Sequence, residues 1–342
     1  MIRPSRAPNF WRSAGGVSRL LAPVAAVWGA VAARRMNAPA KHPAPVPVIA
    51  VGNFTAGGAG KTPTTAALVG LARRAGFSPA VLTRGFGGRL PGPLLVDLAL
   101  HDATQVGDEP LLHARLVPTV VARDRAAGSA LVVDCGADLA ILDDGFQNPA
   151  LAKDLSIVVV DRGYGIGNGR VLPAGPLRAP LDVQLDHASA LVVIDAGEPE
   201  APSLAALLAE ARRRSLPVVP ARLVLREPDR FAGRRVLAWA GIGRPEKFAA
   251  TLAGAGAEVV DLAAFGDHQH LAAADAAALL ARAAEDGLDL VTTEKDAARL
   301  GGATSSALKR LAEASAVAAV DLVFDDEAAI TALLGRLRRR SG

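Results

Sequence analysis

The feature that most constrains the fold is a glycine-rich turn between an apolar run and a helix-forming run. It reads VIAVGNFTAGGAGKTPTT and extends from Val48 to Thr65. The glycines of the turn let backbone N–H groups converge on phosphate oxygens without clashes of Cβ atoms. The start of the helix adds a dipole that favours an anion, Lys61 can reach a transferred phosphoryl group, and Thr62 can hold Mg²⁺. The pattern therefore predicts a strand, a nucleotide-binding P-loop and a helix.

The loop departs from the general pattern GxxxxGK[ST] at its first position, where Thr55 replaces glycine. A glycine-rich turn that binds no ligand is the alternative interpretation. The apolar strand before the loop and the Lys-Thr pair after it favour a nucleotide site. The residues that we expect to bind ATP are Thr55, Ala56, Gly57, Gly58, Ala59, Gly60, Lys61 and Thr62.

A second apolar run ends in two carboxylates, Asp143 and Asp144, within the segment LAILDDGFQ. P-loop enzymes place an acidic residue at the end of a neighbouring strand, where it positions Mg²⁺. Because acidic residues are common at strand ends, this pair alone is weak evidence for a metal site. The presence of the P-loop in the same chain strengthens that interpretation. We expect Asp144 or Asp143 to serve the metal together with Thr62.

Short β-branched runs alternate with Ala-rich segments from Val46 onward, which predicts a mostly parallel sheet with crossover helices. Near-continuous apolar runs such as SIVVVD indicate a sheet with helices on both faces. The predicted fold is an α/β, P-loop NTPase-like domain over residues 36–215 and a smaller α/β domain over residues 216–342. The predicted strands are Val46–Gly52, Ala80–Thr83, Thr119–Ala122, Leu139–Leu142, Ser156–Asp161, Ala190–Asp195, Val218–Leu225, Arg235–Ala240, Glu258–Asp261, Leu288–Thr292 and Ala316–Phe324.

The first 35 residues combine an apolar run with basic flanks. The run Leu20–Ala33 has 14 residues, fewer than the roughly 20 that span a bilayer. Phe10, Trp11 and Trp28 are side chains that favour the headgroup level of a membrane. We prefer a membrane-associated interfacial helix over residues 1–35. A cleaved signal peptide, which would export an ATP-using enzyme to a compartment without ATP, and a helix of the core are the alternatives.

Charge is distributed unevenly along the chain, although the formal net charge is only +4. Residues 1–96 contain twelve Lys and Arg, and the first acidic residue is Asp97. Such a basic block can attract nucleic acid, anionic lipid or a phosphorylated substrate. Cys135 is the single cysteine, so no internal disulfide can form, which is typical of a reducing compartment.

Motifs along most of the chain resemble the tetraacyldisaccharide 4′-kinase family. The family's GNxTxGGxGKTP corresponds to Gly52–Pro63, with the same absence of glycine at position 55. Further matches are RGFGG (Arg84–Gly88), VGDEP (Val106–Pro110), DDGFQN (Asp143–Asn148), NGRVLPAGPLRAP (Asn168–Pro180), DHQH (Asp267–His270) and TEKDAA (Thr293–Ala298). The chain departs from the family at Asn148, where the family has His, at Ala179, where it has Glu, and at Gln269 in the DHH segment.

The resemblance implies an enzyme that uses ATP and Mg²⁺ to phosphorylate the 4′-hydroxyl of a tetraacyldisaccharide 1-phosphate, giving lipid IVA in lipid A biosynthesis. It implies two α/β domains with the site in the cleft between them. It also implies peripheral attachment to the cytoplasmic face of the bacterial inner membrane. The expected partners are therefore a lipid-linked disaccharide and an anionic membrane surface, and no nucleic acid. The acyl-chain pattern, the oligomeric state and whether residues 1–35 span the membrane or lie on it stay open.

The resemblance also assigns roles to residues. Asp108 matches the family's catalytic Asp, and His268 matches the His thought to pair with it, which would orient the imidazole. An N-cap role for Asp108 and a surface-loop role for His268, with His270 as its rival, are the alternatives. The expected catalytic residues are Asp108, His268 and Lys61, and the expected metal residues are Thr62, Asp144, Asp143 and Glu109.

Four further motif residues are expected to bind the substrate, with solvated loop arginines as the alternative for Arg170 and Arg178. The four are Arg84, Asn168, Arg170 and Arg178. The roles of Glu294 and Lys295 are left open.

Two other classes of protein compete with a kinase. A membrane-associated P-loop ATPase or GTPase switch is one, but deviant ATPases of that kind carry Lys where this chain has Ala56, and the NKxD string of GTPases is absent. A nucleic-acid-binding protein is the other. The basic block of this chain, however, lacks the interleaved aromatic residues on which the bases of single-stranded nucleic acid stack.

Overall fold

The structure, a computed structural model, describes residues 8–267 and 269–337. Its strands are β1 Val48–Asn53, β2 Pro79–Thr83, β3 Leu94–Leu95, β4 Thr119–Val121, β5 Leu139–Asp143, β6 Leu155–Asp161, β7 Ala190–Asp195, β8 Val218–Leu225, β9 Arg235–Ala240, β10 Glu258–Ala264, β11 Asp289–Thr293, β12 Ser315–Ala318 and β13 Val320–Phe324. Its α-helices are α1 Gly16–Leu20, α2 Ala22–Met36, α3 Lys61–Arg74, α4 Ala103–Val106, α5 Asp108–Ala114, α6 Arg125–Asp134, α7 Leu181–Asp186, α8 Pro202–Arg213, α9 Pro245–Gly254, α10 Ala273–Asp286, α11 Glu294–Leu300, α12 Ser306–Ala314 and α13 Glu327–Leu334.

Within the described residues, nine strands form the larger sheet in the order β13-β8-β7-β6-β1-β5-β2-β4-β3. Neighbours are parallel except at the two edges, where β13 and β3 run antiparallel. The central strand β1 is buried on both faces: Ile49 and Val51 pack with Leu68 of α3, whereas Val48 and Ala50 face the opposite layer. The predicted α/β fold with a mostly parallel sheet and helices on both faces is confirmed. Ligands bind at the carboxyl ends of such strands, so the loop after β1 is an expected ligand-binding position.

In the part of the chain that the structure describes, a second sheet contains four parallel strands in the order β10-β9-β11-β12. Its centre is Trp239, which is fully buried and donates from Nε1 to Ser315 Oγ at 3.0 Å. The chain enters this sheet after β8 and returns to the larger sheet at β13. The second unit is therefore an insertion between two strands of the larger sheet.

The sequence-based division at residue 215 does not coincide with the division between the sheets. Strand β8 pairs with β7 of the larger sheet although it follows residue 215. The single strand predicted over Ala316–Phe324 consists of β12 in one sheet and β13 in the other. An uninterrupted apolar run predicts that strands are buried, but it carries no signal for the sheet in which they are buried.

The first helices pack against the loop that precedes α7. Trp11 Nε1 donates to Pro173 O at 3.0 Å, and Ser18 Oγ donates to Ala174 O at 2.7 Å. Asn168 Nδ2 donates to Phe10 O at 2.8 Å. Across residues 8–267 and 269–337, no helix has the length and hydropathy needed to cross a membrane.

Candidate active site

The loop between β1 and α3 has the backbone that its glycines predict. Gly57 and Gly60 adopt φ values of +109° and +90°, which L side chains rarely adopt. Lys61 is the first residue of α3, and its Nζ lies 3.4 Å from Asn53 Oδ1 and 3.6 Å from Asp144 Oδ1. The loop therefore presents an ammonium group and a helix N-terminus to the same cleft.

The absence of glycine at position 55 has a structural reason. Thr55 is buried and forms an antiparallel bridge with Leu177, so its backbone is extended. Ala56 N donates to Pro176 O at 2.8 Å, and Asn53 Nδ2 donates to Thr55 O at 2.7 Å. The proline-rich segment 170–180 therefore braces the first half of the P-loop, where no positive φ is needed.

Of the two carboxylates after β5, Asp144 lines the cleft. Its φ is +55°, and its carboxylate meets Lys61 and also Arg178 Nη1 at 3.2 Å. Burial alone would raise the pKa of Asp144, but the charges of Lys61 and Arg178 outweigh burial and lower it. Asp143 is turned inward, where its carboxylate contacts His113 Nε2 at 2.9 Å and Thr65 Oγ1 at 3.4 Å. This geometry favours Asp144 over Asp143 as the residue that faces a metal.

Glu109, in the first turn of α5, faces the P-loop. Its Oε1 accepts a hydrogen bond from Thr62 Oγ1 at 3.2 Å and lies 2.6 Å from Lys295 Nζ. Burial alone would raise the pKa of Glu109, but the Lys295 ammonium reverses this effect and the pKa falls to about 2. Thr62 and Glu109, both expected at the metal, are thus in contact, and Lys295 of the TEKD motif joins them from the second unit.

Asp108 is buried beneath the second unit. Arg299 Nη2 lies 2.5 Å from Asp108 Oδ2, and Arg299 Nη1 lies 2.7 Å from Asp296 Oδ1. The N-cap position of α5 is Gly107 and Asp108 is the first helical residue, so Asp108 is not the N-cap of this helix. His268 lies outside the described residues, and its pairing with Asp108 stays a prediction.

The four expected substrate-binding residues have different surroundings. Arg178 lies in the cleft, where its Nε donates to Thr55 O at 3.1 Å. Asn168 is used internally, because its amide joins Phe10 O and Ala174 O. Of the residues described, Arg84 and Arg170 are not among those that line the cleft. Arg84 is exposed at the end of β2, and Arg170 is half-buried in the loop that contacts the first helices.

The cleft has a volume of about 790 Å³ and is shared by both sheets. The unit built on the larger sheet contributes the P-loop, Glu109, Asp144 and Arg178 to the cleft. The second unit contributes Arg244, Lys247, Asp267 and Lys295. No three His, Cys, Asp or Glu side chains within residues 8–267 and 269–337 stand ready as a metal cluster. Mg²⁺ that binds with a nucleotide needs only one or two protein ligands beside the phosphates, so Thr62 and Glu109 fit that requirement.

Sequence reasoning missed two parts of this site. Asn53 contacts both Lys61 and the loop backbone, and its place inside the GNFT motif was the available signal. Arg244 Nη1 lies 2.6 Å from Asp161 Oδ2, which joins α9 to the end of β6. Nothing in the sequence indicates that these two segments, more than 80 positions apart, meet at the cleft.

Similarity to known proteins covers nearly the whole chain. A family model described as LpxK, tetraacyldisaccharide-1-P 4′-kinase, matches residues 17–338. A tetraacyldisaccharide 4′-kinase of Methylorubrum extorquens is 52% identical over 324 residues, which cover 94% of this chain and 95% of the relative. One of Rhodopseudomonas palustris is 50% identical over 345 residues, which cover 98% of each chain. A crystal structure of LpxK from Aquifex aeolicus in complex with ATP is 25% identical with a TM-score of 0.68, covering 94% of this chain and 99% of that one.

Proposed function

This chain belongs to the LpxK family of tetraacyldisaccharide-1-P 4′-kinases, and from that premise we propose how its residues perform the family's reaction. It transfers the γ-phosphoryl group of ATP to the 4′-hydroxyl of a tetraacyldisaccharide 1-phosphate, which gives lipid IVA in lipid A biosynthesis. The proposal is supported chiefly by segment 170–180, which contacts both the P-loop and helix α2. That segment braces the P-loop at Thr55 and also holds the helix α2, which exposes apolar side chains.

The P-loop holds the phosphates of ATP. Backbone N–H groups of Gly57–Lys61 face the phosphate oxygens, and Lys61 compensates the charge that develops on the transferred group. When bound, this site's Mg²⁺ would supply further positive charge against the phosphates of ATP. Thr62 and Glu109 would hold this ion, with Asp144 nearby.

The sugar hydroxyl is a poor nucleophile at neutral pH, so a group that accepts its proton assists the attack. We assign this role to Asp108 together with His268. Arg178, which already contacts Asp144 and Thr55 O, supplies a cation on the side of the cleft that faces α2. Its position suits contact with a phosphate of either substrate.

Helix α2 supports a membrane-facing role for the start of the chain. Its small residues Ala25 and Gly29 are buried, and a Cβ on Gly29 would lie 3.6 Å from Pro180. Six large apolar residues of α1 and α2 point outward instead: Val17, Leu20, Val24, Val27, Trp28 and Val31 are each more than half exposed. A core helix would bury these residues. The helix is about 22 Å long, shorter than the hydrocarbon layer, so it would lie in the interface rather than span it.

The surroundings of this exposed apolar face suit an anionic membrane. Arg12, Arg19, Arg34 and Arg35 are exposed around it, and such side chains reach lipid phosphates. Trp28 Nε1 donates to Arg178 O at 3.3 Å, so the face adjoins the loop that supplies Arg178 to the cleft. We place the enzyme on the cytoplasmic face of the inner membrane, where ATP and the lipid-linked disaccharide meet.

The test is incubation of the full chain with Mg-ATP and the tetraacyldisaccharide 1-phosphate, followed by mass spectrometry of the lipid. We expect one added phosphate at the 4′ position. Lys61→Ala should remain folded and lose several orders of magnitude in rate, whereas Lys309→Ala, on an exposed face of α12, should match the wild type. Hydrolysis of ATP without a phosphorylated lipid would support a P-loop switch instead.

A further inference from the structure

Lys295 is the side chain by which the second unit enters the proposed metal site. It lies in the first turn of α11, and its Nζ is 2.6 Å from Glu109 Oε1. The same oxygen accepts the hydrogen bond from Thr62 Oγ1 at 3.2 Å. Glu109 Oε1, an oxygen that would bind Mg²⁺, is therefore already in contact with the ammonium group of Lys295.

The carboxylates around the cleft have separate partners. Arg299 contacts Asp108, Lys61 and Arg178 contact Asp144, and His113 contacts Asp143. Among the residues that the structure describes, Lys295 is a cation in contact with Glu109.

A divalent ion and this ammonium group compete for one place. Mg²⁺ binds carboxylate oxygens at about 2.0–2.1 Å and requires near-octahedral geometry. An ammonium on the same oxygen would stand only a few ångströms from the ion, where repulsion between like charges in a partly buried site is strong. Free Mg²⁺ should therefore bind poorly while Lys295 stays on Glu109.

We propose that Lys295 is a built-in counter-ion that occupies the metal position at Glu109 and is displaced when the metal arrives with ATP. This inference rests on the proposed metal role of Thr62 and Glu109. The phosphates of ATP offer the displaced ammonium a new anionic partner, which bare Mg²⁺ does not. Because Lys295 belongs to the second unit, occupation of the metal site is tied to the position of that unit.

The test is a titration of the full chain with Mn²⁺ in the absence of nucleotide, with bound metal measured by electron paramagnetic resonance. Lys295→Met removes the competing charge and should bind Mn²⁺ at least about tenfold more tightly than the wild type. Lys295→Arg keeps the charge and should retain the wild-type affinity. Arg234→Met breaks an exposed pair with Asp289 in the second unit and is the matched control. Melting temperatures establish that each variant is folded, and Lys295→Gln replaces Lys295→Met if the latter is not.

A further variant, Glu109→Gln, separates this inference from the proposed function. Loss of Mn²⁺ binding in Glu109→Gln, both alone and combined with Lys295→Met, is expected. If Glu109→Gln leaves Mn²⁺ binding intact, the assignment of the metal site to Thr62 and Glu109 is wrong. If Glu109→Gln abolishes binding but Lys295→Met binds Mn²⁺ as weakly as the wild type, or more weakly, the metal site stands and Lys295 is not a competitor.

Discussion

The carboxylate of Asp108 is held by Arg299, a side chain of α11 in the second unit, with 2.5 Å between Asp108 Oδ2 and Arg299 Nη2. Arg299 is only 7% exposed, and it also contacts Asp296 Oδ1 and Gly241 O. One guanidinium therefore joins the residue assigned as catalytic to the helix and the strand end that organise the second unit. The position of Asp108 depends on contact between the two units.

Replacement of Arg299 by Met should destabilise the protein strongly. Two buried carboxylates, Asp108 and Asp296, would lose their cation, and breaking a buried pair in this way costs about 3–5 kcal/mol. The free energy of unfolding in urea measures the loss. Arg226→Met, which breaks an exposed pair with Asp321, should cost no more than about 1 kcal/mol. Equal, small effects of both changes would mean that Arg299 is not a structural link.

Asp108 and His268 should behave as one catalytic unit. Asp108→Asn and His268→Ala should each slow phosphoryl transfer greatly, and the double variant should be little slower than the slower single variant, because groups that serve one proton transfer are not additive. Single-turnover rates measure this, with ATP affinity as the control, since the P-loop is unchanged. Independent, multiplying defects would separate the two residues, and a fully active His268→Ala would point to His270 or to Asp108 alone.

The outer face of the first helices should determine membrane binding. Leu20 and Val27 are 80% and 68% exposed, and insertion of each apolar side chain is worth roughly 1.5 kcal/mol or more. Leu20→Ser with Val27→Ser should therefore weaken binding to anionic vesicles about a hundredfold. Leu100→Ser changes a similarly exposed residue far along the chain and is the control for flotation measurements. High salt should release the wild type only in part, because apolar burial persists when charge is screened.

Acid should remove the stabilisation that Glu109 provides. Its pKa falls from the ordinary value of 4.5 to about 2 in the folded protein, since Lys295 outweighs the effect of burial. A carboxyl group with a depressed folded pKa stabilises the protein above its unfolded pKa, and this contribution is lost as the pH falls. Between pH 4.5 and 2 the unfolding free energy of the wild type should therefore decline by up to about 3 kcal/mol more than that of Glu109→Gln. Parallel pH profiles of the two proteins would contradict the depressed pKa.

Local patterns predicted much of this structure, and tertiary contacts explain what they missed. The apolar runs located most strands within one to three residues, and the glycine spacing located the P-loop. The short edge strand β3, of two residues, is too brief to produce a pattern. Periodicity could not separate β12 from β13, because both are apolar and only Ala319 lies between them.

The contacts that organise the site were the least predictable part. Asp143 and Asp144 are chemically identical neighbours, so their composition does not indicate that Asp144, with its positive φ, faces the cleft and that Asp143 contacts His113. Lys295 and Glu109 are 186 positions apart, and their contact depends on how the second unit lies on the first. Motif composition marked both residues but gave no indication that they touch.

The anchoring of the first residues by Asn168 bears on how a shortened enzyme should be designed. The backbone of Phe10 and the hydroxyl of Ser18 both meet the Asn168 amide, and Trp11 Nε1 reaches Pro173 O in the same loop. Truncation at residue 35 would remove these partners along with the exposed apolar residues, and it would loosen the segment 170–180 that braces the P-loop. A loss of activity in such a fragment would then have two indistinguishable causes, namely poor access to the lipid substrate and weaker binding of the nucleotide. A detergent-free enzyme for inhibitor screening should keep the segment from Asn9 onward and replace only its outward-facing side chains.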